Sequence, residues 1–174
     1  MKQVIVLVAL LFSSAAVFAQ ESKNPVSTVV KETLSRRQKN MVAAAEEMPA
    51  DKYGYKPTPP QMSFATLITH IAESNNYLCS KIGDVPEPKS AELKENDGKD
   101  KLVAALKDSF DFCTAALAKV DDSRLAETVE LYGGRKGSRA FAMFALTNDW
   151  ADHYGAEAMY LRLNGLLPPT AQKK

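Results

Sequence analysis

The sequence predicts an all-α protein, a four-helix bundle with a long loop between its second and third helices. Three observations favour this fold class. Apolar residues recur at helical spacing in four separate stretches, capping residues and prolines or glycines bound these stretches, and no segment shows a convincing strand pattern. Because each amphipathic helix must bury its apolar face against another element, four of them in 174 residues favour a bundle.

The first helix is predicted to begin at Asn24-Pro25, a capping residue followed by proline at the first helical position. It ends by Pro49. The connector that follows, residues 51–62, contains several prolines and a glycine, which exclude a continuous helix. The apolar face of the first helix comprises Val26, Val30, Leu34, Met41, Ala45 and Met48.

The second and third helices are separated by a long polar segment. Ser63 is the predicted cap of the second helix, which runs to about Asp84. Residues 85–99 carry two prolines and a glycine and are predicted to form a loop, and the third helix covers about residues 100–120. The buried lines of these two helices are expected to be Phe64, Ile68, Ile71, Leu78 and Ile82 in one, and Val103, Leu106, Phe110, Cys113, Leu117 and Val120 in the other.

The last helix is the longest apolar-periodic stretch. Before it, residues 122–134 are expected to form a short helical or irregular piece that ends at two consecutive glycines. The helix itself is predicted from about Ser138 to Asn164. Gly165 then supplies a residue that adopts the left-handed conformation at a helix end without strain.

The first twenty residues, MKQVIVLVALLFSSAAVFAQ, are typical of a secretory signal peptide. Lys2 gives the positive start, an apolar run follows, and Ala19 is a small residue at the expected cleavage site. That run is too short for a spanning helix. We therefore expect a secreted, most readily periplasmic, protein with signal peptide 1–19, a bundle domain 24–169 and a flexible tail 170–174.

Charge argues against two classes of partner. The formal net charge is +1, and removal of the signal peptide takes away one lysine and no acidic residue. A balanced chain without a basic run does not favour nucleic acid or an anionic membrane as the main partner. We expect no stable membrane insertion after signal cleavage.

The two cysteines, Cys79 and Cys113, fall on the second and third predicted helices. In an exported protein an even pair of cysteines is more often a disulfide than two reactive thiols. The alternative is a pair of buried free thiols, because Cys113 falls on a core line.

The two histidines give the main functional signal. Asp149 and His153 are four residues apart on the last helix, so both side chains project from one face and can chelate one ion. Imidazole and carboxylate suit a divalent transition metal such as zinc, nickel, manganese or iron. His70 on the second helix can supply a third ligand, and three protein ligands with open positions are typical of catalytic sites.

Asp149 and His153 also fall on a seven-residue apolar stripe, which predicts that the site faces the inside of the bundle. Glu157, one turn further, is a candidate fourth ligand or catalytic base. A purely structural interpretation remains open, in which Asp149 and His153 form a hydrogen-bonded pair and His70 bonds a backbone carbonyl. Burying either group without a partner costs several kcal/mol, so some partner is required.

Two segments, FATLITHIAESNNYLCSKIG and TNDWADHYGAEAMYLRLNGLLPP, resemble the DinB-like superfamily of damage-inducible four-helix bundles. The resemblance covers about residues 26–169. It implies a metal-binding bundle with one histidine on the second helix and two on the last, at i and i+4. Carried over, these positions are His70, Asp149 and His153. This chain therefore departs from the family pattern by an aspartate in place of the first histidine of the pair.

The resemblance implies a metal-dependent hydrolase, isomerase or thiol transferase that acts on an unknown small molecule. Glu157 is then the candidate accessory base. From another class, a non-catalytic binding or stress-associated bundle is the alternative, in which the Asp149–His153 pair serves structure. A homodimer that buries one helix face is a further expectation that the sequence leaves open.

Overall fold

The computed structural model describes residues 23–89 and 92–173, and within them four long helices dominate. The helices are α1 (Pro25–Glu47), α2 (Phe64–Gly83), α3 (Lys99–Leu117) and α4 (Arg139–Leu163). The predicted four-helix, all-α fold is confirmed. The predicted signal peptide, residues 1–19, lies outside the described residues. No helix in the described part of the chain has both the length and the apolar character needed to cross a membrane.

The helix ends follow the capping residues of the sequence. Ser63 Oγ accepts a hydrogen bond from the Thr66 backbone N–H at 3.1 Å. At the start of α4, Ser138 Oγ accepts one from the Phe141 N–H, also at 3.1 Å. Both contacts satisfy an N–H group that has no partner within its own helix. After α4, Gly165 adopts φ +76°, the left-handed conformation predicted for this stop.

The core lies between the four helices, with α2 packed against both α3 and α4. A polar network is built into it: the fully buried Asn75 accepts a hydrogen bond from Trp150 Nε1 (2.7 Å) and donates one to Ser109 Oγ (3.0 Å). Val26, expected on the apolar face of α1, is 43% exposed because it lies in the first turn, at the edge of the bundle. The largest fully buried side chains include Met41, Phe64, Ile71, Leu106, Phe110 and Trp150.

The predicted disulfide is present. Cys79 and Cys113 are bonded, with their Cα atoms 5.1 Å apart, and join α2 to α3. Both cysteines are fully buried. The alternative of two buried free thiols is therefore wrong for this structure.

Close approach of α2 and α3 also depends on Gly83. A Cβ atom built on this glycine would lie 2.6 Å from the Ala116 backbone oxygen and 2.9 Å from the Ala116 Cβ. Since the nearest atom is backbone, the helices would have to move apart. We expect Gly83→Ala to lower the free energy of unfolding by about 1–3 kcal/mol in a urea titration. Gly155→Ala, where nothing lies within 4 Å, is the matched control and should leave stability unchanged or raised.

The expectation of no strand is wrong for the segment before α4. Two short strands, β1 (Thr128–Leu131) and β2 (Arg135–Ser138), form an antiparallel hairpin. The turn between them places Gly133 at φ +68° and Gly134 at φ +73°. The sequence signal was weak because each strand has four residues and β2, RKGS, has no apolar alternation.

Arg139 ties the hairpin to α2. Its side chain is 2% exposed, and its guanidinium donates to the backbone carbonyls of Lys81 (3.2 Å) and Ile82, in the last turn of α2. It also donates to Glu127 Oε2 at 2.8 Å. A cation suits the end of a helix, where carbonyls have no partner within the helix. This contact fixes the hairpin beside α2 and α4.

The chain makes defined contacts after α4. Residues Pro169–Ala171 form a short 3-10 turn. The Tyr154 hydroxyl donates to Thr170 Oγ1 at 2.9 Å and accepts from the Thr170 N–H at 3.2 Å. These bonds hold the start of the tail against α4.

Candidate metal centre

The structure brings His70, Asp149 and His153 together. One ligand atom from each side chain lies within 4.8 Å of the others. The two imidazole rings have centroids 4.8 Å apart and an interplanar angle of 51°. Residues from two helices that are distant in sequence therefore converge, as their types and spacing predicted.

The expected position on the inner face of the bundle is wrong. The side chains of His153 and Asp149 are 16% and 19% exposed, and His70 is exposed, so the cluster lies at the outer edge of the α2–α4 interface. Positions that repeat every seven residues rotate by about 20° per heptad around a straight helix with 3.6 residues per turn. A line of residues at heptad spacing therefore does not stay on the buried face along the whole helix. The buried line of α4 instead passes through Trp150 and Tyr154, which pack in the core rather than stack on a ligand.

The protonation of His153 follows from its contacts. Nδ1 lies 2.6 Å from the Asp149 backbone oxygen. Since a carbonyl only accepts, Nδ1 carries the proton and donates it. In the neutral imidazole this leaves the lone pair on Nε2, the atom available to a metal. Backbone fixation of one ring nitrogen is the usual arrangement around a metal-binding histidine.

Asp149 offers a second ligand atom. Its Oδ2 lies 3.3 Å from His153 Nδ1. The Nδ1–H of His153 points to the Asp149 backbone carbonyl and not to this carboxylate. The buried Asp149 Oδ2 has no hydrogen-bond partner among the described residues. Through its close contact with Nδ1 and its charge, the Asp149 carboxylate raises the pKa of His153 against the effect of burial. A buried carboxylate oxygen without a well-aligned donor fits a site for a cation.

Glu157, the candidate fourth ligand or base, is not part of this cluster. It lies on the buried face of α4 and is 0% exposed. Neither of its carboxyl oxygens has a hydrogen-bond partner within the described part of the chain. Burial raises the pKa of Glu157 well above its usual range, which favours the neutral acid at neutral pH. Its role as accessory base stays a prediction that this placement does not favour.

Sequence reasoning missed the aromatic pair that joins the hairpin to α2. Tyr132, at the tip of the hairpin, stacks on Tyr77 of α2 with ring centroids 3.7 Å apart and an interplanar angle of 20°. Burial, with the charges of Tyr77, Asp149 and Glu87, raises the pKa of Tyr132 to about 12. The signal available in the sequence was the Gly133-Gly134 pair, which marks a hairpin turn immediately after Tyr132.

Comparison with known families agrees with this geometry. The sequence profile of the DinB superfamily matches residues 33–156, which is more than half of the chain and includes His70, Asp149 and His153. The chain belongs to the DinB superfamily. The DinB-like resemblance of the two segments around these residues is thereby confirmed. No curated protein matches the chain.

Solved structures with the same fold include two DinB-like proteins. One from Bacillus subtilis is 21% identical, with a TM-score of 0.67, and the match covers 84% of this chain and 99% of that one. One from Bacillus cereus is 14% identical, with a TM-score of 0.67, and the match covers 80% and 93% of the two chains. A mycothiol-dependent maleylpyruvate isomerase is 12% identical, with a TM-score of 0.60 and coverage of 74% and 59%. At these identities the likeness concerns the fold.

Proposed function

We propose that this DinB-superfamily protein binds one divalent transition metal through His70, Asp149 and His153 and uses it on a small-molecule substrate. The convergence of three ligand atoms within 4.8 Å at an accessible edge carries the proposal. Two imidazoles and one carboxylate suit zinc, nickel, manganese or iron, and three protein ligands leave coordination positions open to a substrate.

The environment of each ligand supports this assignment. His153 is held by its Nδ1–H, which presents Nε2, and Asp149 keeps a buried oxygen without a well-aligned donor. His70 is exposed, so the site is open to solvent on one side. A structural metal site is usually closed by four protein ligands, whereas an open site favours chemistry on an incoming molecule.

The reaction class we favour is hydrolysis or thiol transfer. A divalent ion held by His70, Asp149 and His153 would supply Lewis acidity, which would lower the pKa of a water or thiol and make it nucleophilic at neutral pH. A thiol is considered because one structural neighbour is a mycothiol-dependent isomerase. Fold likeness does not transmit a reaction, so the choice depends on the site and its substrate.

We further propose that the protein is exported, most readily to a bacterial periplasm. Its first residues are typical of a signal peptide, and the Cys79–Cys113 disulfide is compatible with an oxidising compartment. There the low-molecular-weight thiols differ from those of the cytoplasm, which makes hydrolysis the simpler of the two reactions.

Metal content is the test of this proposal. The mature protein, purified without a histidine tag or chelator and reconstituted with each of the four metals, should hold about one equivalent by mass spectrometry. His70→Ala and His153→Ala each remove one of three ligands, so both should retain little metal. Asp108→Ala, an exposed acidic position on α3, is the matched control and should bind like the parent. Stoichiometric metal in both histidine variants would refute the assignment.

A second candidate is a non-catalytic binding or stress-associated bundle with a structural Asp149–His153 pair. The 3.3 Å separation of His153 Nδ1 and Asp149 Oδ2 favours it, because the two groups stabilise each other without an ion when His153 is protonated. It predicts no metal in the parent after reconstitution. It also predicts a measurable loss of stability in Asp149→Ala at acidic pH.

A further inference from the structure

We propose that Asn75 is a positioning residue for the candidate metal centre and acts through the buried indole of Trp150. The hydrogen bond between these two side chains joins α2, which carries His70, to α4, which carries Asp149 and His153. The proposal rests on the proposed function, since the side chains that this bond aligns are the proposed metal ligands. It assigns a role in the site to a polar network that lies in the core behind it.

The helices α2 and α4 run antiparallel where they carry the candidate ligands. The imidazole rings of His70 and His153 have centroids 4.8 Å apart. Further along α2, Asn75 meets Trp150, which precedes His153 on α4 by about one turn. The Asn75–Trp150 bond therefore joins the two helices within about two turns of the histidine pair.

The Asn75–Trp150 bond is short, buried and directional. Trp150 Nε1 donates to Asn75 Oδ1 at 2.7 Å, and both residues are 0% exposed. An indole N–H can only donate, and in the core no water replaces a lost partner. Rotation of α4 about its axis would carry the indole away from Asn75 and leave both groups without a partner. The bond therefore opposes the same rotation that would carry the ligands of α4 away from α2.

The Asn75–Trp150 bond lies between two other polar contacts of α4. At the start of the helix, Arg139 donates to backbone carbonyls in the last turn of α2. Near its end, the Tyr160 hydroxyl donates to the Met62 backbone oxygen at 2.7 Å, just before α2. A metal site requires its ligands to be held within about 0.5 Å. A contact at the level of the ligands constrains their separation more than contacts at the helix ends.

Asn75 also makes a second hydrogen bond, to a helix that carries no candidate ligand. Its Nδ2 donates to Ser109 Oγ of α3 at 3.0 Å, and the Ser109 hydroxyl donates to the Leu106 carbonyl at 2.7 Å. Ser109 is 1% exposed, so this bond is as well shielded from water as the first. Loss of either bond should lower stability. Loss of the Trp150 bond alone should separate the candidate ligands.

Cobalt(II) titration, followed by visible absorption, compares the two hydrogen bonds. Trp150→Phe removes the donor of the first bond, and Asn75→Leu removes its acceptor. Both variants should bind Co²⁺ roughly 10-fold more weakly than the parent, the lower end of the range for residues that orient metal ligands. Ser109→Ala is the matched control, because it removes the other buried hydrogen bond of Asn75, and it should keep the parent's Co²⁺ affinity.

A second control separates the hydrogen bond from packing. The rings of Phe110 and Trp150 have centroids 6.1 Å apart, so Phe110→Leu changes the packing around the indole and leaves its N–H in place. This variant should also bind Co²⁺ like the parent. Urea denaturation of each variant identifies conditions in which it is folded, and the titrations are made there.

A readout without metal tests the alignment itself. The chain has two histidines, so His70→Ala assigns the ring protons of both by NMR. At a centroid separation of 4.8 Å, the two rings should show NOEs in the metal-free parent. These NOEs should weaken in Trp150→Phe and persist in Ser109→Ala. A role in stability alone would leave them unchanged in both variants.

The two readouts separate this proposal from the proposed function. Absence of Co²⁺ binding by the parent would refute the proposed function, and the NOEs would still decide the role of Asn75. Parent-like NOEs and Co²⁺ affinity in folded Trp150→Phe and Asn75→Leu would overturn that role. An equal loss in Ser109→Ala would overturn it too, because Asn75 would then support the core in general and not the alignment of α2 with α4.

Discussion

Removal of the Cys79–Cys113 disulfide is expected to lower the free energy of unfolding by about 3–4 kcal/mol. The bond closes a loop with a sequence separation of 34, so it restricts the unfolded chain, and the loop-entropy relation gives this magnitude. For a domain of this size the melting temperature should fall by roughly 10 °C. The double variant Cys79→Ala/Cys113→Ala measures the loss directly by urea denaturation.

Reduction of the parent provides the control for that experiment. Parent protein in excess dithiothreitol should approach the stability of the double variant, since both lack the cross-link. Any remaining difference reports the packing of the two sulfur atoms, because both cysteines are fully buried. Equal stability of oxidised parent and double variant would show that the α2–α3 packing alone holds this region together.

The four helices were predictable because their signals are local. Ser63 and Ser138 cap through contacts three residues away, and Gly165 ends α4 through its own backbone conformation. Such features depend on sequence neighbours, so they can be recognised before the tertiary structure is known. The disulfide was predictable for another reason, namely the pairing of two cysteines in a chain expected to be exported.

The hairpin before α4 depends on tertiary contacts and was missed. β2 contains Arg135, Lys136 and Gly137, residues with little intrinsic preference for a strand. Arg139 holds the hairpin in place by bonding carbonyls at the end of α2, far away in sequence. Only the two glycines of the turn pointed to this structure, and one local signal did not outweigh the composition of β2.

The predicted cluster forms, but it lies at the edge of the bundle and not on its inner face. His70, Asp149 and His153 converge as their types and spacing indicated. Their position at the edge of the bundle depends on the rotation of α4 about its axis, which a heptad count does not determine. The same rotation places Glu157, one turn beyond His153, in the interior and outside the cluster.

Glu157→Gln is expected to change how stability depends on pH. Burial raises the pKa of Glu157 in the folded state, whereas the unfolded chain ionises near the ordinary value of 4.5. Above that pH the folded protein holds a proton that the unfolded chain has released. The parent therefore loses stability as pH rises from the pKa of the unfolded state toward that of the folded state. The glutamine variant lacks this loss.

Urea denaturation at pH 5 and pH 7 measures the effect. Between these values the free energy of unfolding of the parent should fall relative to that of Glu157→Gln. The buried glutamine amide also lacks partners and lowers stability, but by an amount that does not depend on pH. The test is therefore the pH dependence of the free energy of unfolding, and not the difference between parent and variant at one pH. Glu73→Gln, an exposed acid on α2, is the control and should show the parent's slope.

The slope also decides between two roles for Glu157. A steep loss of stability means that the side chain stays neutral and dry in the folded protein, and a neutral acid in the core cannot accept a proton at the α2–α4 edge. Equal slopes for parent and variant would mean that Glu157 ionises near its ordinary pKa and therefore reaches water. In that case Glu157, one turn beyond His153, is again a candidate accessory base. Its substitution should then lower activity without changing metal content.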